Sequence, residues 1–101
     1  MPKLSLRLIE PTSIDSQVGQ IFNVEAYVEA NDVKEGYIEI NLDERFLKLV
    51  DSKKKISLPA GNYRQTVSWN VFISKPIKET QVVIKAVAGL VQMAAFMVRA
   101  R

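Results

Sequence analysis

Residues Tyr63–Ser74 read YRQTVSWNVFIS. From Thr66 onward the stretch alternates. Val67, Trp69, Val71 and Ile73 fall on one side of a pleat, and Thr66, Ser68, Asn70 and Phe72 on the other. A repeat of two is the signature of a strand with one buried face. Trp69, the lone tryptophan, belongs to the inward set. The stretch therefore predicts the centre of a β-sandwich core.

The same alternation runs outward in both directions. On the C-terminal side, Lys75-Pro76 ends the strand. Thr80–Ala88 predicts the next one, with Val82, Ile84, Ala86 and Ala88 on one face and Val83 and Val87 on the other. Gly89-Leu90 reads as a tight reversal, and Val91–Arg99 as a last strand. A helix over 86–101 is the competing reading, since Ala, Leu and Met favour helices. Gly89 within it and the strand character of everything before it argue against that reading.

On the N-terminal side, Pro59-Ala60-Gly61-Asn62 is a turn, with proline fixing φ and glycine permitting positive φ. Ile56–Leu58 predicts a short edge strand after the charged turn DSKKK (51–55), and lysines beside such an edge discourage aggregation. Phe46–Val50 is a short apolar piece. Glu35–Leu42 and Gln20–Ala30 are cleanly alternating strands, and Asn31-Asp32 reads as the turn between them. Leu4–Ile9 is a first strand that ends at Pro11, because proline cannot donate to a ladder. Pro11–Gly19 predicts a polar connection. The count is seven or eight strands at regular spacing, the pattern of an all-β sandwich. The length, 101 residues, predicts a single antiparallel β-sandwich domain over 1–101.

Composition excludes several chemistries. Apolar residues make 48% and charged residues 25%, ordinary for a folded domain. The chain has neither cysteine nor histidine. Disulfides, thiolate metal sites, histidine triads and histidine-ligated zinc are therefore impossible within it. The four glycines are scattered and form no phosphate loop. Ser74-Lys75 lies in a predicted loop with no context for a nucleophile. The sequence predicts no enzyme, no catalytic residue and no cofactor.

Two stretches resemble a known family. VGQIFNVEAYVEAND (18–32) resembles the opening of the bacterial and archaeal CARDB modules through Val18, Gly19, Phe22, Val24, Ala26, Val28 and Asn31. ISLPAGNYRQTVSWNV (56–71) resembles that family's glycine turn and long strand through Leu58, Gly61, Val67 and Trp69. The resemblance implies an immunoglobulin-like sandwich of the kind found on prokaryotic surface-layer, adhesion and glycosidase-linked proteins, with no catalytic residues. Cohesin-like modules and viral structural proteins carry similar sandwiches.

Three functions follow as expectations. The first is a protein-interaction or spacer module of a larger surface or multidomain protein, whose partner is another protein or a neighbouring domain. Its contact residues would be Tyr27, Tyr37 and Phe72 on outer faces, joined by Phe96. The second is a carbohydrate- or polyanion-binding module using Lys53, Lys54, Lys55 and Arg64, against the bland alternative of a lysine-protected edge. A net charge of +3, with no aromatic interleaved nearby apart from Tyr63, argues against nucleic acid as a partner. The third is a small self-assembling structural subunit, of cellular or viral origin. The last strand, VQMAAFMV (91–98), is apolar on both faces, as in a central strand or one covered by a second copy. Asp43, Glu44 and Asp51 are the nearest approach to a calcium cluster, although turn carboxylates are more often solvated, and no metal is expected. No apolar run reaches the ~18 residues of a transmembrane segment. The N-terminus lacks the apolar stretch of a signal peptide. Either a cytoplasmic protein or a module of a longer exported chain fits.

Overall fold

The computed structural model describes residues 1–101. Alternation becomes two facing layers. The chain forms nine strands: β1 (Lys3–Glu10), β2 (Ser13–Ser16), β3 (Ile21–Val33), β4 (Gly36–Asn41), β5 (Leu47–Val50), β6 (Lys55–Leu58), β7 (Gly61–Ile73), β8 (Ile77–Val87) and β9 (Val91–Ala100). One sheet has the order β1-β3-β7-β5, the other β2-β9-β8-β4-β6. The expected all-β sandwich is present, with strands throughout and no helix. Over 86–101 the chain is a hairpin turning at Gly89, whose φ is 77°.

Strand β7 is the middle of the molecule. It pairs with β3 along nearly its whole length, Ile21 opposite Phe72 through Ala30 opposite Tyr63, and with β5 on its other side. Val67, Trp69, Val71 and Ile73 are buried, and so are Val24, Ala26 and Val28 across the ladder. Ile38, Ile40, Val82, Ile84 and Ala86 close the core from the other sheet. Every buried residue is apolar. Trp69 is fully buried, and its indole N–H donates to the Lys53 carbonyl at 2.9 Å. The one polar atom of that large side chain is thereby satisfied, which a buried indole needs.

Three features depart from the expectation. The strand count is nine, not seven or eight, because Ser13–Ser16 forms β2 within the stretch expected to be a connection. It lies parallel to β9, Ser13 opposite Met97 through Ser16 opposite Ala100, so the sandwich is not wholly antiparallel. SIDS carries one apolar residue and no alternation worth reading. It becomes a strand because the free edge of β9 is there to pair with. Secondly, Asn31-Asp32 does not end β3. The register shifts between Ala30 and Val33, Asp32 takes a positive φ of 55°, and its N–H donates to Asn62 Oδ1 at 2.6 Å. The signal read as a turn is a bulge, and such residues serve both purposes because they tolerate left-handed backbone. Thirdly, Gly36 starts β4 where a Cβ would lie 1.7 Å from the Val87 carbonyl oxygen. The β4–β8 contact requires glycine there.

Candidate functional site: two outer faces and a lysine flank

The pleat sends alternate residues outward, so each sheet offers one outer face. On the four-stranded sheet that face is polar. Asn23 Nδ2 donates to Ser68 Oγ at 2.8 Å and to Asn70 Oδ1 at 3.1 Å, and Arg64 Nε pairs with Glu29 Oε1 at 3.2 Å. Tyr27 is half-buried there beneath the Arg7 guanidinium, 5.5 Å from its ring centre. Phe72 lies on the same face beside Ile21 and Lys48. Tyr27 is opposite Thr66 on β7, so six residues, about 20 Å of strand, separate it from Phe72.

The outer face of the five-stranded sheet differs. Cross-strand rows run Tyr37–Val87–Val91, Glu39–Lys85–Met93 and Asn41–Val83–Ala95, with Met97 beyond. Val91 is 54% exposed and Met93 64%. The apolar members of this face are Tyr37, Val83, Val87, Val91, Met93, Ala95 and Met97, interrupted by the Glu39–Lys85 pair and flanked by Asn41, Lys55 and Gln81. Tyr37 stands at one side, with Lys55 Nζ 4.2 Å from its ring centre. Tyr37 is therefore on the side of the molecule opposite Tyr27 and Phe72.

Phe96 does not face outward at all. It is 3% exposed and meets Phe22 edge-on in the core, ring centres 6.0 Å apart at 85°. Its placement on a contact surface is corrected: both faces of VQMAAFMV are apolar, so alternation alone left the phase of the strand open. The outward residues are Val91, Met93, Ala95 and Met97. Mirroring β8 about Gly89 would have found them, since Val87 lies opposite Val91 and Val83 opposite Ala95. The four aromatic positions do not form one surface.

The lysine turn is built from the core outward. The Lys53 carbonyl accepts the Trp69 indole N–H, the Lys54 carbonyl accepts the Ile40 N–H at 3.1 Å, and Ser52 Oγ accepts the Asn70 N–H at 3.2 Å. Both sheets thus hold the backbone between β5 and β6 while the side chains of Lys53, Lys54 and Lys55 stay exposed. Lys48 and Lys54 both line a small cavity of about 180 Å³ with Ile40, Leu42 and Leu47. The sequence reading missed Lys48. Arg64 is not part of this cluster. It lies five residues along β7 from Trp69, about 17 Å away, and is bound to Glu29.

The acidic residues form no group arranged to hold a metal ion. Asp43 is engaged by Arg45, with Nη2 2.7 Å from Oδ2 and Nε 3.0 Å from Oδ1. That hydrogen-bonded guanidinium holds the Asp43 carboxyl below its ordinary range and raises Arg45. A cleft of about 760 Å³ opens among Lys3, Leu4, Glu29, Asn62 and Tyr63. The Tyr63 hydroxyl oxygen is buried with no hydrogen-bond partner, and burial pushes its pKa up. No helix is long and apolar enough to cross a membrane.

Comparison with known folds agrees with this architecture. A domain within a Salmonella alpha-2-macroglobulin variant superposes with a TM-score of 0.63 at 15% identity, covering 97% of this chain and 7% of that one. A FixG-related protein from Vibrio parahaemolyticus gives 0.61 at 5% identity, covering 99% and 96%. WR4, an MSP family member from C. elegans, gives 0.56 at 10% identity, covering 97% of each chain. No family model matches the sequence, and no curated protein matches it. The chain is an immunoglobulin-like β-sandwich.

Proposed function

We propose that this chain is a non-catalytic interaction or spacer module of a larger multidomain protein, related to the CARDB-type modules and displayed on a prokaryotic cell surface. The observation that carries the reading is the concentration of outward apolar side chains, Tyr37, Val83, Val87, Met93 and Met97, on one face of the five-stranded sheet. Contiguous exposed apolar surface marks contact with another protein. The likeness to a domain making up a small share of a much longer chain supports the multidomain setting.

The test joins this chain to the domains encoded beside it. Side chains of Tyr37, Val83 and Val87 should become protected from surface labelling, and Val83→Lys should undo that protection with the fold intact. Identical labelling of the isolated and the joined chain would remove the reading.

A second reading rests on the lysine flank. Lys48, Lys53, Lys54 and Lys55 present several exposed cations at one edge, suited to an acidic polysaccharide. Replacing Lys53, Lys54 and Lys55 by alanine should then abolish retention on an anionic polymer at low salt. Equal retention of the variant and the parent would eliminate it.

A further inference from the structure

The edge of β9 is only partly used. Arg101, just past the strand, donates its N–H to the Ser16 carbonyl at 3.1 Å, and its own carbonyl accepts the Val18 N–H at 2.9 Å. Main-chain groups along a strand point to alternate sides. Odd-numbered residues of β9 therefore aim toward the β2 side and even-numbered ones toward β8. The turn agrees. The Ala88 N–H donates to the Leu90 carbonyl at 2.9 Å, so the adjoining pair, Val87 and Val91, is a non-hydrogen-bonded one. But β2 reaches only Met97–Ala100. The N–H and C=O groups of Val91, Met93 and Ala95 point past the sheet and have no paired strand on that side, although β1 of the other sheet packs nearby.

We propose that this open edge pairs with the same edge of a second copy, antiparallel about a two-fold axis through Met93. The inference goes beyond the proposed use of the sheet face and stands on the strand edge. Centring on Met93 puts Met93 opposite its own copy and Val91 opposite Ala95 in both directions. Each unpaired N–H then meets an unpaired C=O. The open stretch is bounded by the turn at Gly89 on one side and by β2 on the other, so its length matches itself. Side-chain sizes match too, the larger Val91 beside the smaller Ala95. The stretch Val91–Met97 carries no charge, so pairing brings no like charges together. The other edge strands carry Lys3 and Arg7 on β1, Lys48 on β5 and Lys55 on β6. An exposed edge without charge or proline is the kind that recruits another strand. Pairing would extend the five-stranded sheet, and with it the apolar residues of its outer face, across the axis.

Sedimentation over a concentration series, with amide exchange at the same concentrations, tests the proposal. The expected result is a reversible dimer in which the amides of Val91, Met93 and Ala95 become protected as it forms. Met93→Pro removes only an edge-facing N–H and leaves the β8–β9 ladder its bonds. Met93→Lys sets two ammonium groups against each other on the axis. Each should weaken the dimer at least about tenfold, with circular dichroism unchanged. Should Met93→Pro fail to fold, Met93→Lys decides. A monomer at the highest concentrations would overturn the proposal, as would a dimer indifferent to Met93→Lys, or protection of these amides only when a different protein is added. A monomer whose sheet face is still covered by a neighbouring domain would overturn this proposal alone.

Discussion

The two flanks of the sandwich treat the same hazard differently. At one flank β5 and β6 are four residues each, set among Lys48, Lys53, Lys54 and Lys55. At the other, β9 runs ten residues and β2 shields only its last part. Short strands and lysines make an edge unattractive to another strand. The Val91–Ala95 edge has neither. The difference teaches that the backbone of the lysine flank is closed by contacts within the chain, Trp69 to Lys53 above all, while the β9 flank keeps bonding capacity in reserve.

Breaking the lysine flank from within gives the largest effect. Trp69→Ala should cost ~3–5 kcal/mol through the cavity it leaves. That is a large part of the ~5–15 kcal/mol a domain has, so a thermal melt should show a barely folded protein. Trp69→Phe sharpens the contrast. It keeps an aromatic ring and leaves the Lys53 carbonyl without its donor, at roughly 1–3 kcal/mol. Amide exchange should quicken between β5 and β6 and stay unchanged along β9. Equal quickening at both flanks would mean that the two are not independent.

Next comes the seam between β4 and β8. Gly36→Ala pushes a methyl into the Val87 carbonyl, and forced overpacking of this kind costs about 1–3 kcal/mol. Denaturant unfolding measures it, and an unchanged midpoint would contradict the close approach. Tyr63→Phe is expected to be neutral or to stabilise by up to ~1 kcal/mol, since its hydroxyl is buried without a partner. A clear loss of stability would reveal a bond to that oxygen.

The smallest effect concerns pH. The Asp43 carboxyl is depressed in the folded state from its ordinary 3.8, first through its hydrogen bond from Arg45. Its stabilising contribution is therefore complete above the unfolded value and lost as pH falls through the folded one. Asp43→Asn should lower stability slightly at neutrality, and that difference should fade as pH falls below about 4, where the parent loses its carboxylate as well. A difference that persists unchanged across that range would assign Asp43 another role.

Much of this was legible beforehand. Trp69 sits where its alternation put it, and the strands around β3, β4, β7 and β8 follow period two, because one face of each is wet and the other dry. The resemblance to CARDB modules anticipated the immunoglobulin-like sandwich and went no further. Legibility failed where local pattern carried no asymmetry. β9 is apolar on both faces, so alternation alone does not say which way Phe96 faces, and the structure turns it inward. Asn31-Asp32 suits a bulge as well as a turn. β2 has almost no pattern of its own.

Local chemistry thus settled the strand elements and the tryptophan core, because burying apolar side chains at every second position is a constraint that neighbouring residues state by themselves. Only the tertiary structure decided which residues share a surface. Lys48 joined the lysine turn, Arg64 left it for Glu29, and Tyr27 and Tyr37 were parted to opposite faces. Those outcomes depend on pairing order and register between strands distant in the chain. Such pairing is fixed by the packing of the whole and is written in no single stretch.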